Sequence, residues 1–166
     1  MKKLYLIRHA KSSWKSDAPN DFERPLAKRG KREAPLMAKV LEAKGVSPDM
    51  ILSSLAKRAK KTAKIFAERL GYPTSGISYR PEIYEAMADD LLRLIKSTDD
   101  RIDRLFLVGH NPGLTELANQ LTPVHIDNLP TSGIFAVEFD VDSWSEITPH
   151  SGEMLFFEFP KKYLQE

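Results

Sequence analysis

Two short apolar runs in this chain of 166 residues end in histidine. Leu4-Tyr5-Leu6-Ile7 leads into Arg8-His9, and Leu105-Phe106-Leu107-Val108 leads into Gly109-His110. An unbroken apolar run of this length between polar flanks is the pattern of a strand buried on both faces, which belongs to a parallel sheet covered by helices. In open sheets of that kind ligands bind beyond the carboxyl ends of the strands. Each run therefore delivers an imidazole to the edge where a site is built.

Strand-like and helix-like segments alternate along the rest of the chain. Lys11 to about Arg24 is a polar loop rich in Ser, Asp, Asn and Pro, long enough to carry function. Lys28 to Lys44 sets Leu36, Met37, Val40 and Leu41 at helical spacing and stops at Gly45, while Pro35 predicts a late start or a kink. Met50 to Leu52 is a short strand, after which Ser53 or Ser54 caps a helix to Leu70 that Gly71 and Pro73 end. There follow a weak strand over Ile77 to Tyr79, a helix over Ala88 to Ile95, the second histidine strand over Leu105 to Val108 and a helix over Gly113 to Leu121. Ile134 to Phe139 and Met154 to Phe159 read as strands joined by a polar turn, so at least one is antiparallel. With 42% hydrophobic residues, the chain can bury one core. The expectation is a single α/β domain over 1–166, in three layers: a mostly parallel central sheet, helices on both faces, and an antiparallel strand near the C-terminus.

The residues beside the histidines point to an anion. Asn111-Pro112-Gly113 reads as a helix start, with Asn111 as N-cap and Pro112 first in the helix, which sets free N–H groups and a positive dipole end beside His110. Arg8, at a strand end, suits bidentate recognition of phosphate or carboxylate. Arg58 follows another strand closely and so shares the same sheet edge. Lys57, Lys60 and Lys61 crowd the first turns of that helix, where the dipole favours acids; they are either a solvated basic face or the seat of something negative. Two histidines, two arginines and a helix terminus narrow the chemistry to phosphoryl transfer. One neutral imidazole attacks phosphorus, and the arginines with the other imidazole, when protonated, stabilise the equatorial oxygens. The chain has no cysteine, which removes thiolate nucleophiles, disulfides and zinc-thiolate sites. The remaining histidines, His125 and His150, read as surface or turn residues, and no His-x-His or His-Glu-x-x-His pair exists. Neither a metal nor a cofactor is expected.

Taken in order, Arg8-His9-Ala10, then Ser53-Ser54-Leu55-Ala56-Lys57-Arg58-Ala59 with Thr62-Ala63, then Val108-Gly109-His110-Asn111-Pro112 resemble the histidine phosphatase superfamily, with its phosphoglycerate-mutase-like fold. The small size, Arg24-Pro25-Leu26 with Gly30 downstream, and Pro130-Thr131-Ser132-Gly133 are similar to short bacterial phosphohistidine phosphatases of the SixA type. The resemblance implies that His9 accepts the phosphoryl group while Arg8, Arg58 and His110 bind it without a metal. It also implies a substrate: phosphohistidine on a bacterial signalling or phosphocarrier protein. Expected substrate contacts extend to Ser12, Lys15, Arg24 and Asn111. Three positions depart from the pattern. Ala10 replaces the glycine common after the histidine, and Lys15 stands where the mutase-like branch tends to carry asparagine. Ile83-Tyr84-Glu85 falls where larger relatives present a general acid, which SixA-type members need not have. Glu85 is thus either that acid or a surface carboxylate beside a helix start, like Asp89 and Asp90.

Other classes fit less well. Phe139-Asp140-Val141-Asp142-Ser143 resembles the nucleophile strand of haloacid-dehalogenase-type phosphatases, but the remaining tail is too short for a crossover carrying further motifs, and Asp and Ser suit a turn. A phosphoprotein-binding module needs the arginines and the helix terminus but no nucleophile. A small-molecule phosphomonoesterase of the same superfamily is the alternative that fold alone does not separate. Only the Lys11 to Arg24 loop and the Glu82 to Asp90 segment can wall a pocket, and a shallow pocket suits phosphohistidine protruding from a folded partner. Trp14 and Phe22 either contact that partner or pack on their own domain. A net charge of +2 is too weak to argue for nucleic acid or an anionic membrane as partner, though it tolerates a locally positive pocket, and no stretch is long and apolar enough to span a bilayer. The cytoplasm is the expected location; no pattern in the sequence sets the oligomeric state.

Overall fold

The computed structural model describes residues 1–164. Its elements are β1 (Lys2–Arg8), α1 (Lys28–Ala43), β2 (Met50–Ser53), α2 (Lys57–Arg69), β3 (Ser78–Tyr79), α3 (Ala88–Lys96), β4 (Arg104–Gly109), α4 (Gly113–Leu121), β5 (Ile134–Phe139) and β6 (Glu153–Glu158), with short 3-10 turns between several of them. The six strands form one sheet in the order β3-β2-β4-β1-β5-β6. β3, β2, β4 and β1 run parallel, while β5 and β6 are both antiparallel to their neighbours.

Side-chain alternation on the two histidine strands splits the core in two. Leu4, Leu6, Leu105 and Leu107 face α3 and α4, whereas Tyr5, Ile7, Phe106 and Val108 face α1 and α2. All but Tyr5 have no exposed surface, and Tyr5 is 3% exposed; fully burying a side chain of this size contributes ~1.5–3 kcal/mol. The unbroken apolar runs are explained by this double coverage, as a strand with helices on both faces has no polar side. No helix among the described residues is long and apolar enough to cross a membrane.

Where local signals and tertiary contacts compete, the structure departs from the sequence reading. α1 begins at Lys28 and continues through Pro35, because its first turn is pinned from outside. The Ala27 N–H donates to the Lys11 carbonyl at 2.9 Å, and Gly30 packs so closely on the same backbone that a Cβ would overlap the Lys11 oxygen. α2 begins after Ala56 with no side-chain cap: neither Ser53 nor Ser54 serves, since Ser54 is turned toward His110. α4 spans Gly113–Leu121 as expected, but its N-cap position is Pro112 rather than Asn111. Asn111 still satisfies the helix start, its Oδ1 accepting from the Thr115 N–H at 3.2 Å and from the Thr115 hydroxyl at 2.8 Å. The link between β5 and β6 is more than a polar turn. It carries the 3-10 segment Trp144–Glu146, whose fully buried Trp144 donates Nε1–H to the Ile102 carbonyl at 2.7 Å.

Candidate active site

Arg8 pairs with Gly109 across parallel β1 and β4, so the next residue of each strand leaves the sheet beside the other. His9 and His110 stand with ring centroids 5.1 Å apart, and the His9 N–H extends the ladder to the Gly109 carbonyl at 3.1 Å. Both line a pocket of about 250 Å³ with Arg8, Lys11, Ser12, Trp14, Arg24, Arg58, Asn111 and Thr131.

The protonation of His9 is set by its neighbour. His9 is 7% exposed, and its Nδ1 lies 2.8 Å from the Ala10 carbonyl oxygen. A carbonyl only accepts, so the proton sits on Nδ1 and the lone pair on Nε2. Ala10 is itself fixed, its N–H donating to Thr62 Oγ1 at 2.9 Å while the Thr62 hydroxyl donates to the Arg58 carbonyl at 2.8 Å. The loop bearing the nucleophile candidate is thereby tied to the helix bearing Arg58. Burial lowers the His9 pKa to about 3; the Ala10 carbonyl opposes this, and His110, Arg58 and Arg8 reinforce it. At neutral pH His9 is an uncharged imidazole.

His110 points its Nε2 at Ser54 Oγ, 2.8 Å away. That oxygen already accepts from the Ala56 N–H at 3.1 Å, so the serine hydroxyl can donate to Nε2 and leave the imidazole proton on Nδ1, which is buried and unpartnered. Burial, then the Arg58 and Arg8 charges, lower the His110 pKa to about 4 against the opposing Asp21 carboxylate. The second imidazole is therefore also neutral in the free site.

The arginines are fixed unequally. Arg8 spends Nη1 on the Leu129 carbonyl at 3.1 Å, but its buried Nε has no partner; burial and the Arg58 charge both lower its pKa. Arg58, 7% exposed, donates Nη1 to the Asp21 carbonyl at 2.8 Å and Nη2 to the Asp21 carboxylate at 3.0 Å. Arg24 donates to the other Asp21 carboxylate oxygen at 2.8 Å and to the Ser12 hydroxyl, and stacks under the Trp14 ring, 3.3 Å from its centroid. Tyr84 completes the set: its hydroxyl donates to Asp21 at 2.8 Å and its ring meets His110 edge-on at 5.5 Å. Burial favours a neutral Asp21, but the Tyr84, Arg24 and Arg58 contacts win and hold its pKa at about 2.

Most residues read from the sequence converge here, namely Arg8, His9, Ser12, Arg24, Arg58, His110 and Asn111. Two do not. Lys15 is exposed and outside the lining, as is Glu85, which sits in the left-handed region at φ 59°. Phe22 packs edge-on against Tyr84 at 4.9 Å. His125 and His150 are exposed. The sequence reading missed the roles of Asp21, Tyr84, Ser54 and Thr62. Ser54 and Thr62 lie inside recognised motifs and Tyr84 adjoins Glu85; the excess positive charge at the start of α2 was the one signal for Asp21. Among the described residues no group of three or more His, Cys, Asp or Glu is placed to hold a metal ion.

Paired strand-end histidines over a pocket of arginines stand on a chain whose residues 4–98 match the histidine phosphatase superfamily (branch 1), and the chain belongs to that superfamily. More particularly, its fold is that of the SixA proteins. The SixA protein histidine phosphatase complexed with tungstate superposes with a TM-score of 0.83 at 23% identity, covering 98% of this chain and 99% of that one. An Agrobacterium tumefaciens protein named as a SixA phosphohistidine phosphatase gives 0.79 at 28% identity, covering 96% and 99%. Similar sequences include an uncharacterised chloroplastic protein of Arabidopsis thaliana, 33% identical over 91% of this chain and 72% of its own length. An uncharacterised protein of Mycobacterium tuberculosis is 31% identical over 93% of this chain and 100% of its own.

Proposed function

We propose that the protein is a phosphatase that removes phosphoryl groups from histidine on a cytoplasmic signalling or phosphocarrier protein, by way of a phosphoryl group held transiently on His9. The observation that carries this reading is the bond from His9 Nδ1 to the Ala10 carbonyl, which leaves Nε2 as a lone pair in a pocket lined by cations. In the first step Nε2 forms a bond to phosphorus as the substrate's N–P bond breaks. A substrate phosphohistidine protonated on its distal nitrogen leaves as neutral imidazole, so no acid is needed at that point. His9 keeps its Nδ1 proton throughout, and the positive charge that develops on its ring is met by the Ala10 oxygen. In the second step water attacks phosphorus, the bond to His9 breaks, and phosphate leaves with the surplus proton passing to solvent. Arg8, Arg58 and His110 hold the equatorial oxygens, and Ser12, Arg24 and Asn111 shape the rest of the seat.

The pocket lining includes no carboxylate, and Asp21 stays ionised down to a pH of about 2. That favours a nitrogen leaving group over an alkoxide, whose departure gains on the order of 10²- to 10⁴-fold from a positioned acid. A small-molecule phosphomonoesterase, the second reading, would need Glu85 in that role. Rapid acid-free quenching of the protein with labelled phosphoramidate tests the proposal. The expected result is an acid-labile, base-stable label that His9→Ala abolishes, with rates unchanged by chelators. An unlabelled wild type, or a His9→Ala variant with near-normal activity, overturns it.

A further inference from the structure

A cavity larger than the catalytic pocket lies beside it, a groove of about 770 Å³. The two share a wall. In the segment 22–26, Arg24 lines the pocket while Phe22, Pro25 and Leu26 line the groove. The α2 helix divides in the same way: Arg58 reaches the pocket, and Lys57, Lys60, Lys61 and Lys64 line the groove. At positions i, i+3, i+4 and i+7 these lysines share one helix face, a stripe about 10 Å long. Lys31 of α1 joins them, and Glu23 is the only carboxylate in the lining.

This charge is not used inside the molecule. Among the described residues no ammonium group of the five lysines makes an ion pair or a hydrogen bond; that of Lys60 lies over the Tyr79 ring at 5.0 Å. The first turn of α2 holds no acidic residue and no side-chain cap, so the cations stand against the positive end of the helix dipole. Of the α2 cations, Asp21 pairs with Arg58 and with none of the lysines. Beneath the lysines the floor is apolar, from Phe22, Leu26 and Leu55.

We infer that this groove docks a segment of the phosphorylated partner protein that carries both acidic and apolar side chains, so that α2 reads the partner with its lysine face and the phosphoryl group with Arg58. The catalytic half of the statement rests on the phosphohistidine reading above; the docking half rests on the groove alone. An apolar floor and lysine point charges without an arginine fork suit an acidic amphipathic peptide better than a nucleic acid backbone. A small substrate fills the pocket and never reaches the groove.

The test uses the triple variant K57E/K61E/K64E, which spares every residue of the catalytic pocket and leaves Lys60 on Tyr79. Of the three changes only that at position 57 falls in the first turn of α2, where a carboxylate is favoured, and the melting temperature serves as the folding control. Three synthetic peptides share a central histidine and differ in flanks: Glu and Leu, Gln and Leu, or Lys and Leu. Without phosphate, the Glu-Leu peptide is expected to bind the wild type about tenfold or more tightly than the Gln-Leu peptide, with affinity falling as salt rises. The variant should lose that preference. After histidine phosphorylation, kcat/KM on the Glu-Leu peptide should fall about tenfold in the variant, through KM, with hydrolysis of inorganic phosphoramidate equal in both proteins. Equal binding of all three peptides by the wild type, or a preference that survives the triple change, overturns the docking site. So does an oligothymidylate that binds as tightly as the Glu-Leu peptide and is lost equally in the variant, since the groove would then be a general polyanion seat. If phosphoramidate is not hydrolysed while the peptide preference holds, the catalytic reading falls and the groove stands.

Discussion

Asp21 grips Arg58 at two points, with its carbonyl oxygen 2.8 Å from Nη1 and its carboxylate 3.0 Å from Nη2. The same carboxylate takes hydrogen bonds from Arg24 and Tyr84. One loop residue thus joins three separate parts of the chain around the pocket. It orients the Arg58 guanidinium, and it is ionised at ordinary pH.

Asp21→Asn should lower kcat/KM on phosphoramidate by about tenfold, because a hydrogen bond to a charged group is worth ~1.5–3 kcal/mol and the backbone carbonyl still retains part of the grip. Tyr84→Phe, which keeps the ring beside His110 and removes only the hydroxyl, should cost less than Asp21→Asn. Steady-state kinetics on the two variants decide it. An unchanged or faster Asp21→Asn enzyme would mean that the carboxylate only drains charge from Arg58.

The two imidazoles make stability depend on acid. Their pKa values are lowered in the folded state from 6.5 to about 3 for His9 and about 4 for His110. Below pH 6.5 the unfolded chain therefore binds protons that the folded chain refuses, so stability is full above that pH and declines as pH falls toward 4 and then 3. Urea midpoints measured across this range should fall with acidity in the wild type and fall less steeply in His110→Gln. With no site histidine titrating in the free enzyme between about pH 5 and 8, kcat/KM corrected for substrate ionisation should be flat there. An inflection near 6.5 that vanishes in His110→Gln would show that the imidazole is more solvated than its surroundings imply.

Much of this was legible before the structure. The runs Leu4–Ile7 and Leu105–Val108 could only be strands covered on both sides, and their shared ending put two histidines on one edge. Periodicity could not reveal Asp21, which opens a three-residue 3-10 turn too short for any repeat to mark its inward positions. The local sequence makes Ser53 or Ser54 a helix cap; in the structure the Ser54 hydroxyl faces His110 while its oxygen accepts from the Ala56 N–H just ahead of the helix. Of the late start or kink expected for α1 from Pro35, the late start does not occur, as the close approach of Gly30 to Lys11 outweighs a local preference. Local chemistry reads well where the backbone alone decides, and poorly where a distant side chain competes.

Gly113 opens α4 against the segment that carries Tyr84. A Cβ there would come 2.5 Å from the Ala86 carbonyl oxygen, a backbone atom that cannot turn aside. Gly113→Ala should destabilise the protein by ~1–3 kcal/mol, the usual cost of overpacking, and should also lower activity by displacing Tyr84 from Asp21 and His110. Denaturant melts and kinetics on the one variant test both effects. Loss of stability with full activity would separate the loop position from catalysis.

Glu85 decides between a nitrogen and an oxygen leaving group. It is exposed, outside the pocket lining, and held at φ 59°, where a non-glycine residue carries a steric penalty of ~1–2 kcal/mol. Phosphoramidate, already protonated on nitrogen near neutral pH, releases ammonia without an acid, so Glu85→Gln should leave its hydrolysis within about twofold of wild type. An alkyl phosphate releases a poor leaving group, and a selective loss there on the order of 10² to 10⁴ would make Glu85 the general acid of a phosphomonoesterase. Equal losses on both substrates would instead mean that it positions the neighbouring Tyr84. Glu85→Gly separates the backbone from the carboxyl group. Glycine enters the left-handed region freely, so if the residue serves only the turn, this variant should melt at or above the wild-type temperature with both rates intact. If it melts higher yet loses alkyl phosphate hydrolysis alone, a strained carboxylate has been retained for its chemistry.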